Sequence, residues 1–279
     1  MANSIELAKS YVPLLDKVYK LASKTSVLDS SNEYVRAGAN ANEILVPKMS
    51  MSGLAPYSKS SGYAQGDVTL EWETLKCDYD RGRKFNVDAM DNIESAGIAF
   101  GQLAGEFIRT KVVPELDAYR FTKYFTECAS PVTGSYTSGK AALTALRAGR
   151  NAIENAEADL TTCYLFITPA LKGAIDDVDT TTSRKAMEDF AGVITVPATR
   201  FLADATLGDD GFTGKRGINF CIIDKQAVQQ YEKHVAPKIF TPDQNTNADG
   251  WIYTYRIVSQ ANVFDNKKAG VYFDVQAAS

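Results

Sequence analysis

Two extended segments, and the stretch between them, restrict what this chain can fold into more than any other feature. Residues 43–49 (Glu43 to Met49) read as a strand. Asp67 to Tyr79 reads as another, with Val68, Leu70 and Trp72 alternating on one face. The intervening stretch, roughly 50 to 66, is rich in Ser, Gly and Tyr and longer than most loops of compact domains, which marks it as functional or mobile. A lone two-stranded hairpin is marginal in water. A long hairpin carrying Leu54, Tyr57, Tyr63 and Trp72 must therefore lie on something, either its own domain or a neighbouring subunit. After Thr74 the apolar positions change parity to Leu75, Cys77 and Tyr79. Such a switch signals a bulge, or a strand that exchanges one partner surface for another.

The flanking segments are of a different kind. Leu7, Tyr11, Leu14, Leu15, Val18 and Ala22 have helical spacing around Pro13, and polar residues follow through Asn40, so this part reads as an arm. Asp91 to Glu127 is the longest helical pattern, with Phe100, Leu103, Phe107 and Ile108 as its apolar stripe. Gly97, Gly101 and Gly105 recur every four residues along it. Each interior glycine costs about 1 kcal/mol relative to alanine, so the line predicts another backbone packed close. Pro114 predicts a kink or a restart.

Beyond Ser130, helical and strand patterns alternate. Ser138 to Ala156 reads as a helix and Cys163 to Ile167 as a buried strand. Thr168-Pro169 reads as a helix start and Gly192 to Val196 as a strand. Gly208 to Gly217 reads as a loop, Ile218 to Ile223 as a strand, and Asp224 as the cap of a helix through Tyr231. This order implies a second, α/β-like domain. Trp251 to Val263 and Ala269 to Val275 then read as strands that rejoin the sheet beside the long helix.

Chemistry is sparse. With 45% hydrophobic and 23% charged residues, the 279-residue chain has the composition of a folded protein rather than a disordered one. A net charge of −4, with Lys and Arg dispersed, argues against specific nucleic-acid binding. Cys77, Cys128, Cys163 and Cys221 lie far apart without a CxxC pair, as expected of reduced thiols in a cytosolic product. No apolar run matches a signal peptide or a membrane span. The one histidine, His234, has no nucleophile motif to serve, and Gly97 to Gly101 lies inside a helical pattern, so it is no dinucleotide loop. Asp176, Asp177 and Asp179 form a carboxylate cluster without the glycine and glutamate of a calcium loop. The expectation is no catalytic site, no metal and no cofactor.

The order of parts resembles the Hong Kong 97-type major capsid proteins of tailed bacteriophages. So does the wording of Val35 to Lys48, Tyr79 to Asp91, Leu103 to Arg109, Phe166 to Pro169 and Val235 to Pro242. The resemblance implies an α+β fold with an N-arm (1–42), an extended E-loop hairpin with its strands (43–86), and a P-domain of spine helix and long antiparallel strands (87–129 and 237–279). An inserted α/β A-domain (130–236) completes it. It also implies a structural subunit of an icosahedral head, assembling with itself as hexamers and pentamers into a procapsid around double-stranded DNA. A separate scaffold protein, a portal and decoration proteins are the implied partners. The implied location is the virion, assembled in the bacterial cytoplasm. Implied interface residues are Leu54, Tyr57, Lys59, Tyr63 and Trp72 in the E-loop and Tyr11, Leu15 and Tyr19 in the arm, with Gly97, Gly101 and Gly105 as a close-packing helix face. Two alternatives stand beside this reading: an encapsulin-type compartment shell, and an α+β enzyme with a carboxylate site around Asp176 to Asp179.

Some members of that family weld subunits through a Lys–Asn isopeptide bond. Lys59 is the candidate lysine by position, with Asn245 or Asn247 as acceptors, but no motif supports either. Purified particles boiled in detergent should therefore give one band near 30.4 kDa; a ladder of multiples would contradict this.

Overall fold

The computed structural model describes residues 23–30, 36–37, 43–60, 62–90, 98–178, 180–246 and 248–277, with backbone alone at 37, 98–102, 180 and 182–184. The arm positions Tyr11, Leu15 and Tyr19, together with Gly97, Asn247 and Asp179, lie outside the described residues.

The first three strands, β1 (Arg36–Ala37), β2 (Glu43–Met51) and β3 (Val68–Lys76), form an antiparallel sheet in the order β1-β2-β3. The next strand, β4 (Tyr79–Asp88), belongs to another sheet. The parity change after Thr74 thus marks a strand that leaves one sheet and enters the next. The predicted single strand from Asp67 to Tyr79 breaks at 77–78, and β4 itself is an addition to the expected elements. Its Arg81-Gly82-Arg83-Lys84 run carries no apolar alternation to announce it.

The long helix runs as α1 (Ile98–Phe107), a π turn (Ile108–Val112) and α2 (Val113–Glu127). Pro114 has no N–H to donate to the Thr110 carbonyl, and its ring crowds that oxygen. The π turn relieves both: the Val113 amide bonds back to the Ile108 carbonyl, while Phe107, Val112 and Val113 keep helical dihedrals. The proline therefore acts as a local widening inside one continuous helix.

Downstream, β5 (Val132–Thr133) precedes α3 (Gly139–Asn155), which the Ser138 hydroxyl caps by accepting from the Ala141 amide at 3.4 Å. β6 (Cys163–Ile167), α4 (Pro169–Asp176), α5 (Thr180–Met187) and β7 (Gly192–Thr195) follow, then the small hairpin β8 (Thr206–Gly208) and β9 (Gly211–Thr213), and β10 (Ile218–Asp224). Thr168 sits at the N-cap of α4 with proline next, but its side chain makes no capping bond.

Two expectations fail here. Asp224 does not start a helix; it accepts from the Gln226 amide at 3.0 Å in a turn, and Val228–Val235 is the strand β11. Residues Val228, Gln229 and Gln230 are buried beside a long strand that supplies the missing ladder partner, so tertiary pairing overrides a mixed local pattern. The remaining strands are β12 (Lys238–Phe240), β13 (Gly250–Val263) and β14 (Val271–Val275). β13 pairs with β4 along one edge and with β11 and β12 along the other. β14, expected to rejoin one sheet beside the long helix together with β13, lies instead between β5 and β10 in the sheet β5-β14-β10-β6-β7. Sheet membership therefore cuts across the expected division at residues 236 and 237.

Helix α2 joins the two sheets and is buried around most of its circumference. Phe121 meets Phe166 (5.3 Å between ring centres) and Phe201 (4.8 Å), and Phe125 meets Phe273 (5.8 Å). Leu116, Tyr124 and Tyr253 belong to the same apolar cluster.

Within this core lie two charges with no solvent exposure, Asp117 and Arg120. Asp117 accepts from the Ser23 hydroxyl (2.9 Å), the Lys24 amide (3.0 Å), the Thr25 amide (3.3 Å) and hydroxyl (2.7 Å), and Arg200 (3.1 Å). Arg120 donates to Thr25 (3.0 Å) and to Glu232 on β11 (3.0 Å). Residues 23–30 are thereby tied to α2 and β11. Removing one member of a buried pair leaves the other charge uncompensated, at about 3–5 kcal/mol. Asp117→Ala should lose stability of that order in urea denaturation of dissociated subunits, and a loss below about 1 kcal/mol would show that the network is solvated.

Candidate assembly interface

The β2–β3 register decides what the hairpin shows to solvent. Leu45 opposes Thr74, Pro47 opposes Trp72, Met49 opposes Leu70 and Met51 opposes Val68. Opposed residues share a face, so these side chains line one surface. The other surface alternates with it: Ile44 with Leu75, Val46 with Glu73, Lys48 with Glu71 and Ser50 with Thr69.

The two faces meet different surroundings. At the hairpin base, Ile44, Val46, Leu75 and Cys77 pack with Val258, and Tyr231 and Phe264 lean on them. Lys233 Nζ reaches the Glu43 carbonyl (3.3 Å) and Lys48 pairs with Asp265 (3.6 Å). Burial, with Asp265 close by, raises the Glu73 carboxyl above its ordinary range. This face seats the hairpin on its own chain.

Among the described residues the opposite face has no such cover. Met51 is 68% exposed, Val68 70% and Leu70 59%, and Met49 joins them. Arg36 stacks over Trp72 at 4.5 Å from the ring centre, covering the inner end of the patch. Apolar residues clustered on one side of a projecting hairpin are unlike the scattered exposed side chains of ordinary surfaces.

The tip extends this surface. Leu54 is fully exposed and Tyr63 nearly so. Tyr57 and Tyr63 meet edge to face with ring centres 5.0 Å apart, beside a bridge between Ser58 and Gly62. Lys59 lies exposed in that turn. The five hairpin residues singled out in sequence thus fall on one projecting element. Pairing register adds Met49, Met51, Val68 and Leu70 to its apolar surface; the alternation of β3 could have pointed to Val68 and Leu70, whereas Met49 and Met51 needed the register.

The other sequence candidates are scattered. A side-chain carbon built on Gly105 would meet nothing within 4 Å, so the close approach suggested by the glycine line is not made there by any described residue. Asn245 donates to the Gly250 carbonyl at 3.0 Å, and nothing described brings Lys59 to it. His234 is exposed on β11. Asp176 pairs with Lys172 at 3.0 Å, and among the described residues no three His, Cys, Asp or Glu side chains gather as metal ligands. No described helix is long and apolar enough to cross a membrane.

The thiols are electrostatically quiet. Burial raises those of Cys77 and Cys128, pushes Cys163 up to about 12 with Asp224 and Asp159 adding to it, and holds Cys221 well above the ordinary value. The thiolate is the nucleophile, so iodoacetamide near neutral pH should label Cys77, Cys163 and Cys221 only after unfolding. Fast alkylation of any of them in the native chain would contradict this.

Neither a family model nor a curated protein sequence matches the chain. Solved structures do. The asymmetric unit of the bacteriophage PhiM1 mature capsid aligns at a TM-score of 0.62 and 13% identity, covering 86% of this chain and 83% of that one. The capsid of cyanophage P-SCSP1u aligns at 0.59 and 12% identity over 88% and 86%. A virus-like particle from Pyrococcus furiosus aligns at 0.54 and 13% identity over 94% and 96%. The chain has the mixed α+β fold of these particle-forming proteins.

Proposed function

We propose that the chain is the major capsid subunit of a tailed phage of the Hong Kong 97 type. Its copies assemble as hexamers and pentamers into a procapsid that encloses double-stranded DNA, in the virion and without a reaction to catalyse. The observation that carries this reading is the uncovered apolar face of the hairpin, on a chain whose fold is that of capsid proteins. A face of this kind needs a second protein surface, and a copy of the same chain is always at hand.

Such a subunit works by area. Burying one aromatic side chain removes about 150–250 Å² from water, at about 25 cal/mol per Å². Ordering the loop offsets part of that gain. Single contacts are then weak enough for misplaced subunits to leave, while many contacts in a closed shell hold together. The resident network at Asp117 keeps the root of the arm fixed. The hairpin and the π turn of the long helix are the elements suited to exchange one packing for another during maturation. A net charge of −4 suits an inner wall that holds DNA without binding it tightly. Scaffold, portal and decoration proteins belong to this reading as partners.

A compartment shell of the encapsulin kind is the second reading, favoured by the likeness to the virus-like particle over 94% of the chain. Nuclease-protected DNA in purified particles supports the phage reading, and an enclosed enzyme supports the compartment. Negative-stain microscopy of the expressed chain should show capsomers or closed shells; a small oligomer alone would overturn both. Deleting residues 52–64 should leave soluble subunits with unchanged thermal unfolding that fail to close, and normal particles from that variant would remove the hairpin from the mechanism.

A further inference from the structure

Asp274 on β14 is a carboxyl group with no solvent exposure, and among the described residues no cation pairs with it. Asp117, equally buried, has Arg200 at 3.1 Å. The partners of Asp274 are neutral: Oδ2 accepts from the Tyr136 hydroxyl (2.5 Å) and Oδ1 from the Asn219 amide (2.7 Å). Burial raises its carboxyl above the ordinary range, against the lowering effect of those two bonds.

The surroundings supply nothing that would hold a charge there. Tyr136, on the way into α3, and Tyr272, on β14 itself, are phenols that burial and Asp274 push up. Cys128 is a thiol raised by burial. From β10 the facing residues are Asn219 and Phe220, and from α3 Gly149 lies against the Tyr272 ring. Arg216 reaches this end of the sheet but donates to the Thr133 hydroxyl (3.1 Å) and the Gln276 carbonyl (3.0 Å).

What the carboxyl fastens is the link from α2 into α3. β5 is a two-residue edge strand, exposed along its length, with Val132 opposite Asp274 and Thr133 opposite Val275. The Gly134 amide donates to the Val275 carbonyl (2.9 Å), and Asn219 also holds the Gly134 carbonyl (2.9 Å). A neutral carboxyl serves every group here, since its O–H donates to Tyr136 while its other oxygen accepts from Asn219. An ionised one is sealed from water with two neutral donors, which is costly. Its least expensive relief is to lift the exposed β5 and Tyr136 and admit water, because the β10 side is wholly buried.

We propose that Asp274 is a proton-held clasp on residues 132–136, closed while the carboxyl keeps its proton and peeled from β14 when the proton leaves. The join between the long helix and the α/β layer is thereby sensitive to pH. The device belongs to the folded subunit and does not depend on the shell reading.

A group whose folded-state value is raised keeps its proton after the unfolded chain has lost it. Its contribution to stability is therefore complete below the unfolded value and lost as pH rises through the folded one. Urea denaturation of full-length dissociated subunits, from about pH 4, near the ordinary aspartate value, to about pH 8, tests this against Asp274→Asn, whose amide copies the neutral acid. The unfolding constant of the parent relative to the variant should rise with pH, by up to about tenfold per unit, and then level off. Glu73 and Glu127 are raised as well but stay in both chains, so the ratio isolates Asp274. A ratio that does not change with pH overturns the proton. Hydrogen exchange of the parent alone tests the opening: protection of the Gly134 amide, corrected for the intrinsic rate, should fall as pH rises while that of Ile222 on β10 holds. Gly134 protection that is constant with pH, or that falls together with Ile222, overturns the clasp.

Discussion

A carboxylate taken wholly out of water is tolerable only when every lone pair it offers is used, and Asp117 meets that condition by gathering two separate parts of the chain around α2. Its oxygens hold residues 23–25 from the N-terminal side and Arg200 from the α/β side. One helical turn away, Arg120 reaches Glu232 on β11. Desolvating these charges costs several kcal/mol for each ion, so the network adds less net stability than its number of bonds suggests. What it fixes is position. An apolar contact slides, whereas a buried charge with directed donors fits one arrangement of helix, strand and residues 23–25.

That fixed core lets the remaining surfaces be left unbalanced. The hairpin is clamped at its base by Ile44, Val46, Leu75 and Cys77 on Val258, and its outer half carries an apolar face that none of the described residues covers. A monomer optimised for solubility would place charges on that face. Here the charges Lys48, Glu71 and Glu73 stand on the other one, where Lys48 pairs with Asp265 and Glu73 lies near it. The hairpin is thus seated by one face, apolar at its base and charged farther out, and leaves the other face exposed.

Several elements were legible before any coordinates. β6 and α3 have a buried apolar run and an explicit cap, and both appear within a residue of the expected limits. The shift from Val68, Leu70 and Trp72 to Leu75, Cys77 and Tyr79 correctly marked a strand changing surfaces. The hairpin residues were legible because large side chains in a Ser/Gly-rich stretch have no local partner. β4 and β11 were not legible. Their runs, Arg81 to Lys84 and Gln229 to Lys233, are polar enough to suit loop or helix, and only pairing with β13, which neither run shows locally, makes them strands.

Periodicity and side-chain chemistry along continuous stretches specify most of the element types, β4 and β11 apart, together with the amphipathic hairpin and the scarcity of residues suited to catalysis. Tertiary structure decided which strands share a sheet, that β14 crosses to the α/β side, and that Phe85, Phe107 and Phe212 converge on a groove. It also decided that Asp117 and Arg120, ordinary helix residues to a reader of the chain, are its buried polar centre. One cause runs through all of these: the partners stand from 22 positions apart (Val235 and Ile257) to 180 (Tyr79 and Ser259), and local periodicity carries no information about pairs at such separations.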